Sequence, residues 1–228
     1  MPSTTNDYLL DPEYIRNKLL LLDSPKRLKY DDPSFVKSAI LFLLKAHQNK
    51  PYDLILIRRT TRKKDKHSGE ISFPGGKKDP TDTSLEETAL RECEEELNIP
   101  RSNINILGSF NDHLTPKFFM ITPVVGFIKN DQEMQKNDAE VEEILEIPIS
   151  FFINKNNYKD TTFNLKGDTL AVGSYRYRSP DGILITIFGA TAHMIVSYIE
   201  LVHGITLIKE GCRRATPADF EKLPRQMG

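Results

Sequence analysis

Apolar positions recur along this chain in two rhythms. Between Ser34 and Thr60 the runs SFVKSAILFLLKA and YDLILIRRT are rich in apolar residues and separated by the turn-like HQNKP, which predicts an antiparallel hairpin. EISF, INILGSF, FFMITPVVGFI and EVEEILEIPI read as further strands, and GSYRYRSPDGILITIFG predicts a second hairpin turning at Ser179-Pro180-Asp181-Gly182. The helical period appears three times. Leu9, Ile15, Leu19 and Leu22 predict a short amphipathic helix ahead of the domain proper. Leu90, Cys93 and Leu97 form the apolar stripe of a helix that Ser84 and Glu87 open as a capping box and Asn98, before Pro100, closes. ATAHMIVSYIELVHG reads as a mostly buried helix ending at Gly204. The asparagine-rich stretch from Asn154 to Asp160 reads as a polar connection. The resulting organisation is an N-terminal extension with a short helix over residues 1–34, a domain over 35–205 and a polar, loosely held tail over 206–228.

Composition narrows the function classes. With 228 residues, 39% hydrophobic and 28% charged, the chain can bury one sizeable core. A net charge of -1 speaks against nucleic acid or an anionic membrane as partner, so any anion binding is local. Cys93 and Cys212 lie far apart with no CxxC pair, which suits a reducing compartment and excludes a disulfide framework. No secretory signal pattern is present, and the longest apolar stretch, AILFLL, is too short to span a bilayer. The expectation is a cytoplasmic protein with a small-molecule substrate. Its N-terminal helix covers a sheet edge or a neighbouring subunit, which leaves a homodimer open.

The chemistry concentrates between Gly75 and Ile99. Glu86, Glu87, Glu92, Glu94, Glu95 and Glu96 crowd one short helix, and at helical spacing Glu92, Glu95 and Glu96 share a face opposite Leu90, Cys93 and Leu97. Like charges so spaced repel by a few tenths of a kcal/mol per pair, a cost that a multivalent cation reverses. Carboxylate oxygens suit Mg²⁺ or Mn²⁺, which keep waters and share their other positions with substrate phosphates. An acidic helix is ordinarily just a solvated face; the preceding Pro74-Gly75-Gly76 changes the balance, because it lets backbone approach closely and offers a carbonyl to the same cation. Arg91, between loop and glutamates, is placed to hold a carboxylate bidentately.

These residues resemble the Nudix box. Gly76, Arg91-Glu92-Cys93-Glu94-Glu95-Glu96-Leu97 and Ile99 occupy matching positions, while Asp82 stands for the upstream acid with eight residues before Arg91 instead of seven, and Asn98 replaces the second glycine. HSGEISFPGG, TPVVGFI, AEVEEILEIPI and IFGATAHMI are similar to the branch of Nudix hydrolases that act on coenzyme A, although the basic lead-in RRTTRKKDKHSGE departs from the usual one, with Lys64 near its arginine and one extra residue.

The resemblance implies a fold of the α+β class, an α/β/α sandwich around a mixed β-sheet with the box as loop, helix, loop. It implies Mg²⁺- or Mn²⁺-dependent hydrolysis of a diphosphate, of coenzyme A or its thioesters first, with ADP-ribose, NADH, an ADP-sugar or an oxidised nucleotide as alternatives and a nucleotide-sensing module without catalysis as a further one. The implied metal ligands are Glu92, Glu95, Glu96 and the Gly76 carbonyl, with Arg91 orienting a carboxylate and Glu92 or Glu140 as general base. Arg59, Arg62, Lys64, His67 and Glu70, with Gly75 and Gly76, are the implied substrate-binding residues, the basic loop serving as a clamp for the 3′-phosphate of coenzyme A. His113, Lys117 and Phe119 are candidates for lining the cleft, and His193 reads as a buried structural histidine.

Overall fold

The structure, a computed structural model, describes residues 8–60, 69–129, 132–165, 167–214 and 219. Its centre is β1 (Val36–His47), in which Ala39, Leu41 and Leu43 point to one side and Ile40, Phe42 and Leu44 to the other, none more than 8% exposed. A strand buried on both faces needs an unbroken apolar run, which is why AILFLL shows no alternation. Gln48 and Asn49, the latter at a left-handed φ of 56°, turn β1 into its antiparallel partner β2 (Lys50–Arg59). Together these form the predicted hairpin, with a tighter turn.

The two strands pair only over part of their length. β1 pairs with β2 from Leu43 to His47, while over Ser38–Ile40 its partner is β4 (Gly75–Lys77). β2 in turn pairs with β3 (Ile71–Ser72) at Ile57 and Arg58. The segment Ile71–Lys77 thus occupies the gap between β1 and β2 and brings the glycine pair into the middle of the sheet. β7 (Phe119–Ile128) runs parallel to β1, with β5 (Ile104–Ser109) and β6 (His113–Leu114) antiparallel to it, and β8 (Val141–Pro148) pairs with the far side of β2. These eight described strands form one mixed sheet.

Helices cover both faces. α2 (Leu85–Leu97) lays Ala89, Cys93 and Leu97 on Ala39, Leu41 and Leu43, and α4 (Gly189–His203) packs Ile195, Tyr198 and Ile199 into the cluster holding Ile40, Phe42 and Leu44. The fold is therefore α+β, with the sandwich layering expected. A smaller sheet of β9 (Tyr158–Leu165), β10 (Asp168–Arg178), β11 (Leu184–Phe188) and β12 (Arg213–Arg214) joins the α4 side through Tyr175, which meets Phe152 of α3 (Ile149–Ile153) edge to face at 5.1 Å. The β10–β11 hairpin turns as predicted, the Gly182 N–H donating to the Ser179 carbonyl at 2.9 Å.

Two expectations change. The asparagine-rich stretch is a single 3₁₀ turn followed at Tyr158 by β9, an exposed edge strand whose polar residues carry no strand period and whose pairing comes from β10. The N-terminal helix α1 is only Pro12–Lys18, capped by the Asp11 side chain; Leu9 and Leu22 lie outside it, and the chain turns extended at Leu19 so that Leu20 can exchange backbone hydrogen bonds with Ser109 at 2.9 and 2.7 Å.

What fastens the stretch after α1 is a buried ion pair. Arg27 binds Asp112, the two side chains 4% and 2% exposed, and Asp112 also accepts from the Thr122 hydroxyl at 2.7 Å and the Tyr30 N–H at 3.2 Å. Asp112→Ala strands the guanidinium without its counter-charge, a loss of about 3–5 kcal/mol. For a chain of this size the expected fall in melting temperature is roughly 10 °C, read by thermal denaturation against wild type.

Candidate active site

Six glutamates can share the α2 region because each has its own task. The Ser84 side chain accepts from the Glu87 N–H at 3.0 Å as the capping box requires, while the Glu87 carboxylate takes the Thr83 N–H and hydroxyl at 2.6 Å each, one residue ahead of the Ser84 N–H that the box would engage. Glu94 pairs with Arg101 at 2.8 Å. Asn98 ends the helix in the left-handed conformation, φ 54° and ψ 35°, as the substitution for glycine requires. Glu86 stands in the first turn of α2, where the helix dipole favours an acid; Glu92, Glu95 and Glu96 remain, and Arg91 lies among them.

Arg91 is the organiser. Its Nε and Nη2 donate to the two carboxylate oxygens of Asp82 at 2.9 and 3.0 Å, its Nη1 to Glu95 at 2.9 Å and its Nη2 to the Lys77 carbonyl at 3.2 Å, with Glu92 at 3.0 Å. Asp82 is buried, and Arg91 holds its carboxyl well below the usual carboxylate range, helped by the Asp79 N–H and the Thr88 hydroxyl. The displaced acid of the motif is therefore the carboxylate that Arg91 clamps, a positioning role that the altered spacing concealed.

The glycines are required by contact. A Cβ on Gly76 would lie 2.5 Å from the Glu92 carboxyl, and Gly75, at φ +152°, has the β1 backbone in the way of any side chain. The Gly75 N–H donates to Glu96 at 2.9 Å. Glu96, 1% exposed, is pushed up to about 8 by burial, an effect that this N–H and Arg59 oppose and the charges of Glu92 and Glu140 reinforce. Arg59 Nη1 stands 3.7 Å from it, while Arg59 Nε is buried with no partner among the described residues. Glu92 is likewise raised, mainly by burial, with Glu95 and Glu140 adding to the effect and Arg91 opposing it.

The structure thus brings together Gly75, Gly76, Asp82, Arg91, Glu92, Glu95, Glu96, Arg59 and Glu140, drawn from five stretches of chain. Glu70 lies opposite Arg59 on the neighbouring strand segment, its carbonyl accepting the Arg59 N–H at 3.1 Å. Arg62, Lys64 and His67 lie outside the described residues. Of the cleft candidates, the His113 ring meets that of His193 at 4.4 Å, and burial drives His113 down to about 4, so both rings are neutral near pH 7 and neither is an anion clamp. Loop residues clasp the helix end: the Asn137 N–H donates to the Glu96 carbonyl and the Gln135 N–H to the Leu97 carbonyl, both at 2.9 Å.

The oxygen set fits a hard divalent cation. Glu96 is a carboxyl driven out of water without a full counter-charge, Glu92 lies one helical turn before it against Gly76, which leaves room, and every donor is oxygen, the preference of Mg²⁺ and Mn²⁺. Among the described residues, three ligand atoms meet within 4.8 Å only elsewhere, at His47, Asp53 and Glu146. That group is satisfied internally, His47 by Asp53 and Glu146 by Lys45, each at 2.7 Å. It also lies eight residues along β1 from the partner of Gly76, roughly 25 Å away.

Comparison with known proteins agrees with this geometry. The NUDIX domain family profile matches residues 35–156, and the chain belongs to the Nudix family. The peroxisomal coenzyme A diphosphatase NUDT7 of Mus musculus is 31% identical over 196 residues, 81% of this chain and 80% of its own. An uncharacterised Nudix hydrolase NudL of Photorhabdus laumondii is 34% identical over 146 residues, 64% of this chain and 75% of its own. Among solved structures, a MutT/nudix family protein from Enterococcus faecalis aligns at a TM-score of 0.46 with 16% identity over 85% of this chain and 73% of its own. The protein is a Nudix hydrolase that acts on a diphosphate, a class that generally works with divalent metal ions, and among the described residues no helix is long and apolar enough to cross a membrane.

Two outcomes follow, the first for the metal-free protein. Folding raises the Glu96 pKa from its ordinary 4.5 to about 8, so the folded state holds a proton that the unfolded state releases between those values. Stability is fully present below pH 4.5, falls as pH rises toward 8 and is level beyond it. Thermal melts of Glu96→Gln, recorded without metal, are expected to lack this slope and to exceed wild type at pH 8. Gly76→Ala is expected to fold yet displace the Glu92 carboxylate, with activity reduced roughly 100-fold in a turnover assay.

Proposed function

We propose that the protein hydrolyses the diphosphate of coenzyme A or its thioesters, releasing 3′,5′-ADP and 4′-phosphopantetheine or its acyl form. The observation that carries the substrate assignment is the likeness to the mouse coenzyme A diphosphatase, which runs over 196 residues and so continues beyond the residues matched by the family profile. In this reading residues 35–205 are the hydrolase domain.

Glu92, Glu95, Glu96 and the Gly76 carbonyl are the residues that would hold Mg²⁺ or Mn²⁺, which would supply the positive charge to offset the diphosphate and to acidify a water. Arg91, locked to Asp82, turns Glu92 and Glu95 toward the loop and keeps them from repelling each other apart. Glu140 enters from the turn before β8, close enough for its charge to act on both Glu92 and Glu96, and takes the proton from the attacking water. Glu92, already engaged with Arg91, is the less free of the two candidate bases. Arg59 faces the buried end of the site. Arg59, with Arg62, Lys64 and His67 further along the sequence, supplies the positive charge that binds the phosphates of the substrate, while Glu70, an acid, binds a hydrogen-bond donor of the substrate and not its phosphates.

The test is an incubation with Mg²⁺ or Mn²⁺ and a panel of coenzyme A, acetyl-coenzyme A, ADP-ribose, NADH and oxidised dGTP, with products separated by chromatography. Release of 3′,5′-ADP from coenzyme A, abolished by chelator and lowered roughly 10- to 100-fold in Glu95→Gln, is the expected result. Preferred cleavage of another panel member overturns the substrate assignment.

A further inference from the structure

The β6–β7 hairpin carries a phenylalanine where its geometry calls for glycine. The Phe118 N–H donates to the Thr115 carbonyl at 3.0 Å and the Thr115 N–H to the Phe119 carbonyl at 2.9 Å, so Thr115-Pro116-Lys117 closes the turn and leaves Phe118 at φ +59°. A turn followed by a left-handed residue is a common three-residue hairpin loop, and glycine is favoured at that last position because a Cβ there crowds the following carbonyl. Elsewhere in this chain Asn49 and Asn98 take the same conformation. A bulky ring held in it is strain that the surroundings maintain, and such strain concentrates at working sites.

The surroundings are themselves aromatic and cationic. The Phe35 ring meets Phe118 at 5.5 Å with a tilt of 57°, and the Val36 N–H donates to the Phe118 carbonyl at 2.8 Å. The Lys77 ammonium lies 5.7 Å over the Phe119 ring. Phe35, Phe118 and Phe119 are all only half-buried, so each ring keeps part of its surface open. Their position relative to the glutamates follows from register: Gly76 pairs with Ala39, and Val36, joined to Phe118, lies three residues back along β1, roughly 10 Å away. The rings therefore stand within reach of the nucleoside end of a diphosphate seated at Gly76.

We propose that Phe118, backed by Phe35 and followed by Phe119 under the Lys77 ammonium, is the stacking platform for the purine base of the substrate. A flat base covers open ring faces that water otherwise meets, and stacking of this kind tolerates any base because each has a π-face. The inference rests on the substrate being a nucleoside diphosphate derivative and adds which residues receive its base. If the ring were instead ordinary packing, its removal would cost stability. A platform held under strain responds in the opposite sense.

The experiment is calorimetric titration of wild type, Phe118→Gly and Phe118→Tyr with adenosine 3′,5′-bisphosphate, AMP and the base-free 4′-phosphopantetheine, beside thermal melts of the free proteins. Phe118→Gly is expected to bind both adenine nucleotides roughly 5- to 150-fold more weakly and 4′-phosphopantetheine within about twofold of wild type. Its melting temperature is expected to hold or rise by a few degrees, and Phe118→Tyr to keep wild-type affinity. Unchanged AMP affinity in Phe118→Gly overturns the platform. Equal weakening of the base-free ligand, or a melting temperature lower by more than about 4 °C, does the same. AMP lacks the pantetheine arm and the 3′-phosphate, so its result judges the platform even if coenzyme A is not cleaved. Cleavage of coenzyme A with AMP binding unmoved by the substitution would retain the substrate and discard the platform.

Discussion

The bidentate pair between Arg91 and Asp82 joins the loop of the active site to its helix. Asp82 is anchored at the mouth of α2 by the Asp79 N–H and the Thr88 hydroxyl, so the guanidinium that grips it cannot swing. From that fixed position Arg91 reaches Glu92, Glu95 and the Lys77 carbonyl together. Two glutamates that would otherwise splay apart are set toward the glycine loop. Because Lys77 belongs to β4, the same contact ties the helix to the strand segment between β1 and β2.

Close approach is the second constraint. The glutamates reach the backbone of β4 because Gly75 and Gly76 present no side chain, and the glycines are held in the sheet because β1 and β2 diverge just where Ile71–Lys77 enters. The cost appears at Glu96, a carboxyl buried against a single N–H with Arg59 at 3.7 Å. An apolar residue there would pack more comfortably. The cation proposed for this site would offset that penalty on binding.

The layers behind the site are conventional by comparison. β1 is apolar on both faces, α2 and α4 cover it from either side, and buried Arg27 with Asp112 ties the N-terminal stretch to the β5–β6 connection. A chemically active end thus rests on a rigid sheet, which holds the glutamates at the separation that positioning requires.

Much of this was legible in the residues. Periodicity located both covering helices and the principal strands, and the capping box, the left-handed Asn98 and the 92/95/96 face followed from local rules of spacing and stereochemistry. Those rules act within a few residues, so sequence suffices for them. Tertiary structure decided what depends on distant partners: that Asp82 is the acid Arg91 holds, that Arg59 of β2 and Glu140 of the turn before β8 arrive beside Glu96, that polar β9 is a strand because β10 pairs with it, and that Arg27 is buried against Asp112. A charge or an edge strand has no period of its own. Its place is set by whichever partner the fold brings within hydrogen-bonding reach.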